Sequence, residues 1–171
     1  LVKQITQGKY EVKSFLGWDQ KANVFYYASN EESPLRSAIY KIDNKGRKTK
    51  LSTREGTNSA IFSKSQKYYI NTFSSISTPP VITINDNTGK VLTTLVDNKT
   101  LAQKVAKLNM PTKELFTFTT RDGVELNGWM MKPANFDATK KYPVIMHQYS
   151  GPGSQEVLDE WRIGARSDGG M

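Results

Sequence analysis

The chain has no cysteine and a single histidine, His147. Without thiols, structural disulfides and thiolate metal sites are excluded, although this leaves the compartment open. One histidine and no carboxylates at ligand spacing provide no donor set for a metal ion, and neither a metal nor any other cofactor is expected. Long apolar runs are also missing: none approaches the roughly 20 residues that a membrane-spanning helix needs. There is no apolar leader, and the chain opens Leu1-Val-Lys-Gln without an initiator methionine, which fits an excised fragment as well as a cytosolic protein. The apolar share of 37% is low for a compact α/β enzyme and ordinary for antiparallel sheets with one solvated face. Acidic residues are outnumbered, 16 against 24 basic, for a net charge of +8. The basic residues are scattered, and the one short cluster, Lys45 to Lys50, sits at an Asn44-Lys-Gly46 turn where exposed charge is ordinary. A nucleic-acid surface would want a continuous basic face with interleaved aromatics, so nucleic acid is not expected as a partner.

What is present is strand chemistry in a repeating pattern. Asn23-Val-Phe-Tyr-Tyr-Ala-Ser-Asn30 is matched by Lys67-Tyr-Tyr-Ile-Asn-Thr-Phe-Ser74, and Ala38-Ile-Tyr-Lys-Ile-Asp43 by Val81-Ile-Thr-Ile-Asn85. The offset of about 43 residues is the period of four-stranded propeller blades. Strands are predicted near 10–17, 23–30, 36–43 and 48–52, and again near 58–63, 67–74, 80–85 and 90–96. Asp43-Asn-Lys-Gly46 and Asp86-Asn-Thr-Gly89 take the same place in each unit, with residues that tolerate the positive φ of a tight hairpin. Two blades cannot close a ring, which usually takes four to eight. The propeller reading therefore calls for further chain upstream, and a small free-standing β-sandwich is the alternative.

After residue 96 the pattern changes. Leu101, Val105 and Leu108 stand at helical spacing, and Asn109-Met-Pro111 breaks that helix and reads as a linker. Glu114–Thr120 and Val124–Lys132, joined by Arg121-Asp-Gly123, predict a hairpin. Tyr142-Pro-Val-Ile-Met-His-Gln-Tyr149 predicts a buried strand that runs into the turn Ser150-Gly-Pro-Gly-Ser-Gln155, and residues 155–162 predict the start of a helix with acids at its N-terminal end. A phenol at a strand end is a neutral donor at pH 7, able to hold a developing oxyanion. His147, two positions before Tyr149, shares its strand face and reads as a packed, hydrogen-bonded residue. Ser150 and Ser154 lack a glycine-framed elbow and read as partners of local backbone. Trp18 reads as a packing residue of its blade, Trp129 and Trp161 as anchors of a second core, and Glu31-Glu32 as a solvated turn leading to Pro34. Asn98-Lys-Thr100 is a glycosylation sequon whose meaning depends on a secretory context.

The order of parts resembles the dipeptidyl peptidase IV branch of the prolyl oligopeptidase-type serine peptidases. The likeness is weak over the repeated units and sharp over 109–155, above all in Tyr149-Ser-Gly-Pro-Gly-Ser-Gln155. It implies a mainly β fold: residues 1–108 as the last two blades of a β-propeller with a short helix, and 109–171 as the opening strands of an α/β-hydrolase domain. It implies that Tyr149 is the family's oxyanion-stabilising tyrosine, presented by a loop that Gly151, Pro152 and Gly153 shape. The complete protein would then release dipeptides from peptide N-termini after proline or alanine. Such enzymes usually work in the periplasm or outside the cell, often as homodimers. No Gly-x-Ser-x-Gly elbow occurs in the chain, and the family's acid, base and paired amino-terminus-binding glutamates lie in other parts of such proteins. The chain alone is therefore expected to be inactive. A non-catalytic binding module of the same ancestry, or a sister peptidase of acylaminoacyl or tripeptidyl type, is the alternative.

Overall fold

The computed structural model describes residues 3–108, 110–148, 151 and 155–162. It is mainly β, with two four-stranded antiparallel sheets, one two-stranded sheet and one short helix. The first sheet is β1 (Val12–Asp19), β2 (Val24–Ser29), β3 (Ala38–Asp43) and β4 (Lys48–Lys50), paired in sequence order. The second repeats that order with β5 (Thr57–Phe62), β6 (Tyr68–Ser75), β7 (Thr78–Asp86) and β8 (Val91–Val96). Each of the eight strands predicted for the repeated units is found, within two residues or so at most ends. The two matched turns close alike, with Gly46 N–H donating to Asp43 O and Gly89 N–H to Asp86 O, each at 3.0 Å. Gly89 also needs its missing side chain for space: at φ +96° a Cβ would lie 2.6 Å from Leu51 O of the first sheet.

β2 and β3 are buried on both faces, which explains why they read as continuous apolar runs rather than alternating ones. One face carries Tyr26, Ala28 and Ile39 against Ala60, Phe62 and Tyr69 of the second sheet. The other carries Tyr27, Ala38, Tyr40 and Ile42 against Ile5 of the amino-terminal segment. Between the sheets the Phe62 ring packs tilted against Tyr26 and stacked on Tyr69, with centroids 4.3 and 4.7 Å apart, contacts that add to their area burial. A parallel bridge, Ser37 to Thr57, and Asn58 Nδ2 donating to Ser37 O at 3.1 Å join the sheets at one end. The far face of the second sheet carries the cross-strand row Ile61, Ile70 and Ile84, and Ile61 is 75% exposed.

Burial raises the phenol pKa of Tyr26, Tyr27 and Tyr40, with the charge of Glu31 adding to the rise at Tyr27 and Tyr40, and pushes Tyr69 up to about 12. The unfolded chain releases these protons near pH 10 and the folded one holds them longer. The associated stability is thus complete below pH 10 and lost as pH rises through 12. A denaturation midpoint that is flat to about pH 9.5 and then falls steeply is expected, with some tyrosines ionising at 295 nm only on unfolding. Ionisation of all 8 tyrosines near pH 10 with stability unchanged would contradict this.

The helix α1 (Lys99–Lys107) follows Asn98, whose left-handed backbone sits at φ 50° and whose Nδ2 donates to Pro80 O at 2.7 Å. The sequon amide is therefore already engaged. The hairpin β9 (Lys113–Thr119) and β10 (Glu125–Met131) is formed as predicted. Trp18 lies flat on Phe25, 5.7 Å between centroids.

Three expectations are corrected. Glu31-Glu32 is a turn that is solvated only in part: Glu31 pairs with Lys48, its side chain 11% exposed, while Glu32 stays exposed, at 47%, and pairs with Lys50 at 2.6 Å. The two carboxylates thereby tie the β2–β3 loop to β4. Residues 142–148 form no strand, and Val144, Ile145 and Met146 are 86%, 93% and 81% exposed. A buried strand needs neighbours on both edges, and no other described strand lies alongside this one. Residues 155–162 form no helix, because their backbone donors are spent elsewhere: Asp159 N–H donates to Leu35 O at 2.8 Å and Trp161 N–H to Ser74 Oγ at 3.3 Å.

Candidate functional site

The site expected from the sequence lies on the segment that follows the hairpin. Its lead is fixed locally: Phe136 stacks on Tyr142, and the Tyr142 hydroxyl accepts the Asp137 N–H at 3.0 Å. Asp137 in turn takes the Thr139 N–H and hydroxyl, and these bonds hold its carboxyl below the usual range. His147 is exposed rather than packed in a strand, because the strand itself has no partners here. Gly151 is half-buried. Tyr149, Ser150, Pro152, Gly153 and Ser154 lie outside the described residues.

Beyond the turn the chain returns to the sheets and is fastened by Asp159, which is 6% exposed. Its Oδ2 accepts Arg36 Nε at 3.0 Å and its Oδ1 accepts the Ile76 N–H at 3.0 Å. Its backbone is engaged as well, the N–H by Leu35 O and the carbonyl by Thr57 Oγ1 at 3.0 Å. One residue thus joins the β2–β3 loop, the start of β5 and the β6–β7 turn. Arg36 is oriented from its other side by Glu55 Oε2, 2.7 Å from NH1. Its loop is preformed: Arg36 N–H donates to Ser33 O and Ser33 N–H to Asn30 O, both at 3.1 Å. A guanidinium fork can serve two carboxylates in this way, where an ammonium could not hold both in plane.

The hairpin meets the same segment. Lys113 Nζ stands 4.6 Å from the centre of the Trp129 ring, and its pKa is lowered, first by burial and then by the charge of Arg162, with Glu160 opposing. Trp161, expected in a second core, is instead bonded through its backbone to β6. Among the described residues this arrangement holds no nucleophile and base within reach of one another; its chemistry is that of an anchor. Sequence reasoning missed it, because a charge pair 123 positions apart leaves no periodic trace, and Arg36 and Asp159 each look like ordinary surface residues.

Comparison with known proteins adds the relatives. Residues 1–80 match the family described as the dipeptidyl peptidase IV N-terminal region. The chain is 37% identical over 169 residues to the protein of Chaetomium globosum named dipeptidyl-aminopeptidase B, covering 95% of this chain and 18% of that protein. It is 32% identical over 161 residues to the Emericella nidulans protein named dipeptidyl peptidase 4, covering 92% and 21%. The crystal structure of Porphyromonas gingivalis dipeptidyl peptidase 4 superimposes with a TM-score of 0.89 at 46% identity, over 94% of this chain and 23% of that one. The chain therefore spans about a fifth of the length of its relatives, between 18% and 23% in these three. On the repeated four-stranded sheets, the segment fastened beside them and these likenesses along nearly its whole length, the chain belongs to the dipeptidyl peptidase IV family.

Proposed function

We propose that this chain is part of a serine exopeptidase that releases N-terminal dipeptides, with Tyr149 supplying the hydroxyl that receives the oxyanion. The observation that carries the reading is the 46% identity to a dipeptidyl peptidase 4 over 94% of the chain, a span that includes both repeated sheets and the run from Tyr149 to Gln155. Residues 1–108 are read as the last two blades of a propeller, and 109–171 as the start of an α/β-hydrolase domain. In that fold the loop after the third strand contributes to the oxyanion hole, and by the family's motif Tyr149 is read as the donor of that loop.

In this mechanism a serine elsewhere in the complete protein attacks the carbonyl after the second residue, a histidine takes its proton, and an aspartate orients the histidine. Tyr149 donates its O–H to the tetrahedral oxygen. Proline or alanine is the expected second residue of the substrate, and a homodimer outside the cytoplasm is the expected setting. Among the described residues no helix is long and apolar enough to cross a membrane.

The complete protein is expected to release nitroaniline from Gly-Pro-nitroanilide, and the 171-residue chain to release none. Turnover by the chain alone would refute the division of labour proposed here. No turnover by the complete, folded protein would favour a non-catalytic binding module, and release of acylated residues or tripeptides instead of dipeptides a sister peptidase.

A further inference from the structure

A cleft of about 330 Å³ opens between the amino-terminal segment and the β3–β4 turn, within the roughly 300–1,000 Å³ that small-molecule sites occupy. Both of its walls are fixed by bonds of their own. On one side Ile5 packs on the cluster of Tyr27, Ala38, Tyr40 and Ile42, and Lys3 Nζ donates to Asn44 O at 2.6 Å. On the other, Asp43 Oδ1 accepts the N–H groups of Lys45 and Arg47, both at 2.9 Å, and Asp43 Oδ2 accepts Arg47 Nε at 2.6 Å. Lys3, Lys45 and Lys48 give the cleft its charge, Ile5, Ile42 and the Tyr10 ring give it an apolar wall, and no acid lines it among the described residues.

The three lysines are not equivalent. Lys48 is neutralised by Glu31, with its Nζ 5.6 Å from the centre of the Tyr10 ring, and Asp43 is spent on Arg47. Lys3 and Lys45 have no carboxylate partner among the described residues. Lys3 reaches the turn from 41 positions upstream, so the fold adds a charge that the run from Lys45 to Lys50 does not contain. A concave wall of one sign raises the local concentration of ions of the other. A neutral guest would leave both ammonium groups unused, and a bare inorganic anion would leave the apolar wall unused. We infer that the cleft binds a small organic anion, with a phosphate or carboxylate head at Lys3 and Lys45 and an apolar body along Ile5, Ile42 and Tyr10. None of these residues takes part in the proposed peptidase chemistry, so binding here can be tested without it.

The test is calorimetric titration of the complete protein with phenyl phosphate and with benzoate at low salt. At least one should bind with a Kd of about 1 mM or tighter, and the tighter of the two names the head group. Inorganic phosphate, which lacks the body, and benzamide, which lacks the charge, should each bind at least about fivefold more weakly than the better probe. Charge reversal in Lys3→Glu/Lys45→Glu should weaken that probe about tenfold or more. Lys3→Arg/Lys45→Arg, which keeps both charges, should change its affinity by less than about threefold. Lys3 and Lys45 are both exposed, so neither variant disturbs the core. Failure of the complete protein to bind either probe overturns the inference, as does equal binding by the parent and by Lys3→Glu/Lys45→Glu. Inorganic phosphate or benzamide binding as tightly as the better probe overturns it too.

Discussion

Tyr149→Phe in the complete enzyme is expected to lower kcat at least about tenfold, and up to the roughly 2.7–4 kcal/mol of transition-state stabilisation that a single oxyanion donor typically supplies. The substitution removes one oxygen and keeps the ring. KM should change less, because the ground-state carbonyl makes little use of a donor aimed at the tetrahedral oxygen. The effect should also be confined to the chemical step: single-turnover acylation slows, while binding of a substrate-like inhibitor with no tetrahedral centre stays the same. A full-speed phenylalanine variant would return Tyr149 to the role of a packed aromatic.

Ile39→Ala is the second large effect, and it acts on the scaffold. Ile39 is 0% exposed and sits between the sheets with Tyr26, Leu51 and Tyr69. Its N–H is held by Ser52 Oγ at 3.0 Å, and its carbonyl by the Leu51 N–H at 2.7 Å. Removing three carbons there should cost about 2–5 kcal/mol, the spread depending on how far the aromatic stack can collapse into the space. Because β3 begins two residues after Arg36, a shift of this strand is passed directly to the anchor. Loss of stability by urea titration, accompanied by faster proteolysis within 155–162, is the expected result. A variant as stable as the parent would mean that the two sheets do not share one core.

The scaffold was largely legible in the sequence because its determinants are local. Period-two runs, Asp-Asn-x-Gly turns and the 43-position spacing from Asp43 to Asp86 each act over a few residues, and the eight strands, the helix and the hairpin formed where those signals put them. Local signals failed where distant partners decide. Val144-Ile-Met146 has every propensity for a strand but has no edge to pair with among the described residues. Residues 155–162 have a helical beginning, yet Leu35 and Ser74 take the N–H groups that a helix would use. Glu31 and Glu32 looked like solvent-facing charge; Glu32 is, but Lys48 on β4 brings Glu31 in. The Arg36–Asp159 pair was out of reach for the same reason, while the tyrosine that carries the proposed chemistry was visible only through its motif.

The account is tested most directly by mass spectrometry of an unlabelled peptide with proline at its second position, incubated with the complete protein. Release of the N-terminal dipeptide, with the remainder shortened by two residues, is the expected result. An intact peptide, or one shortened by one residue or three, would contradict it.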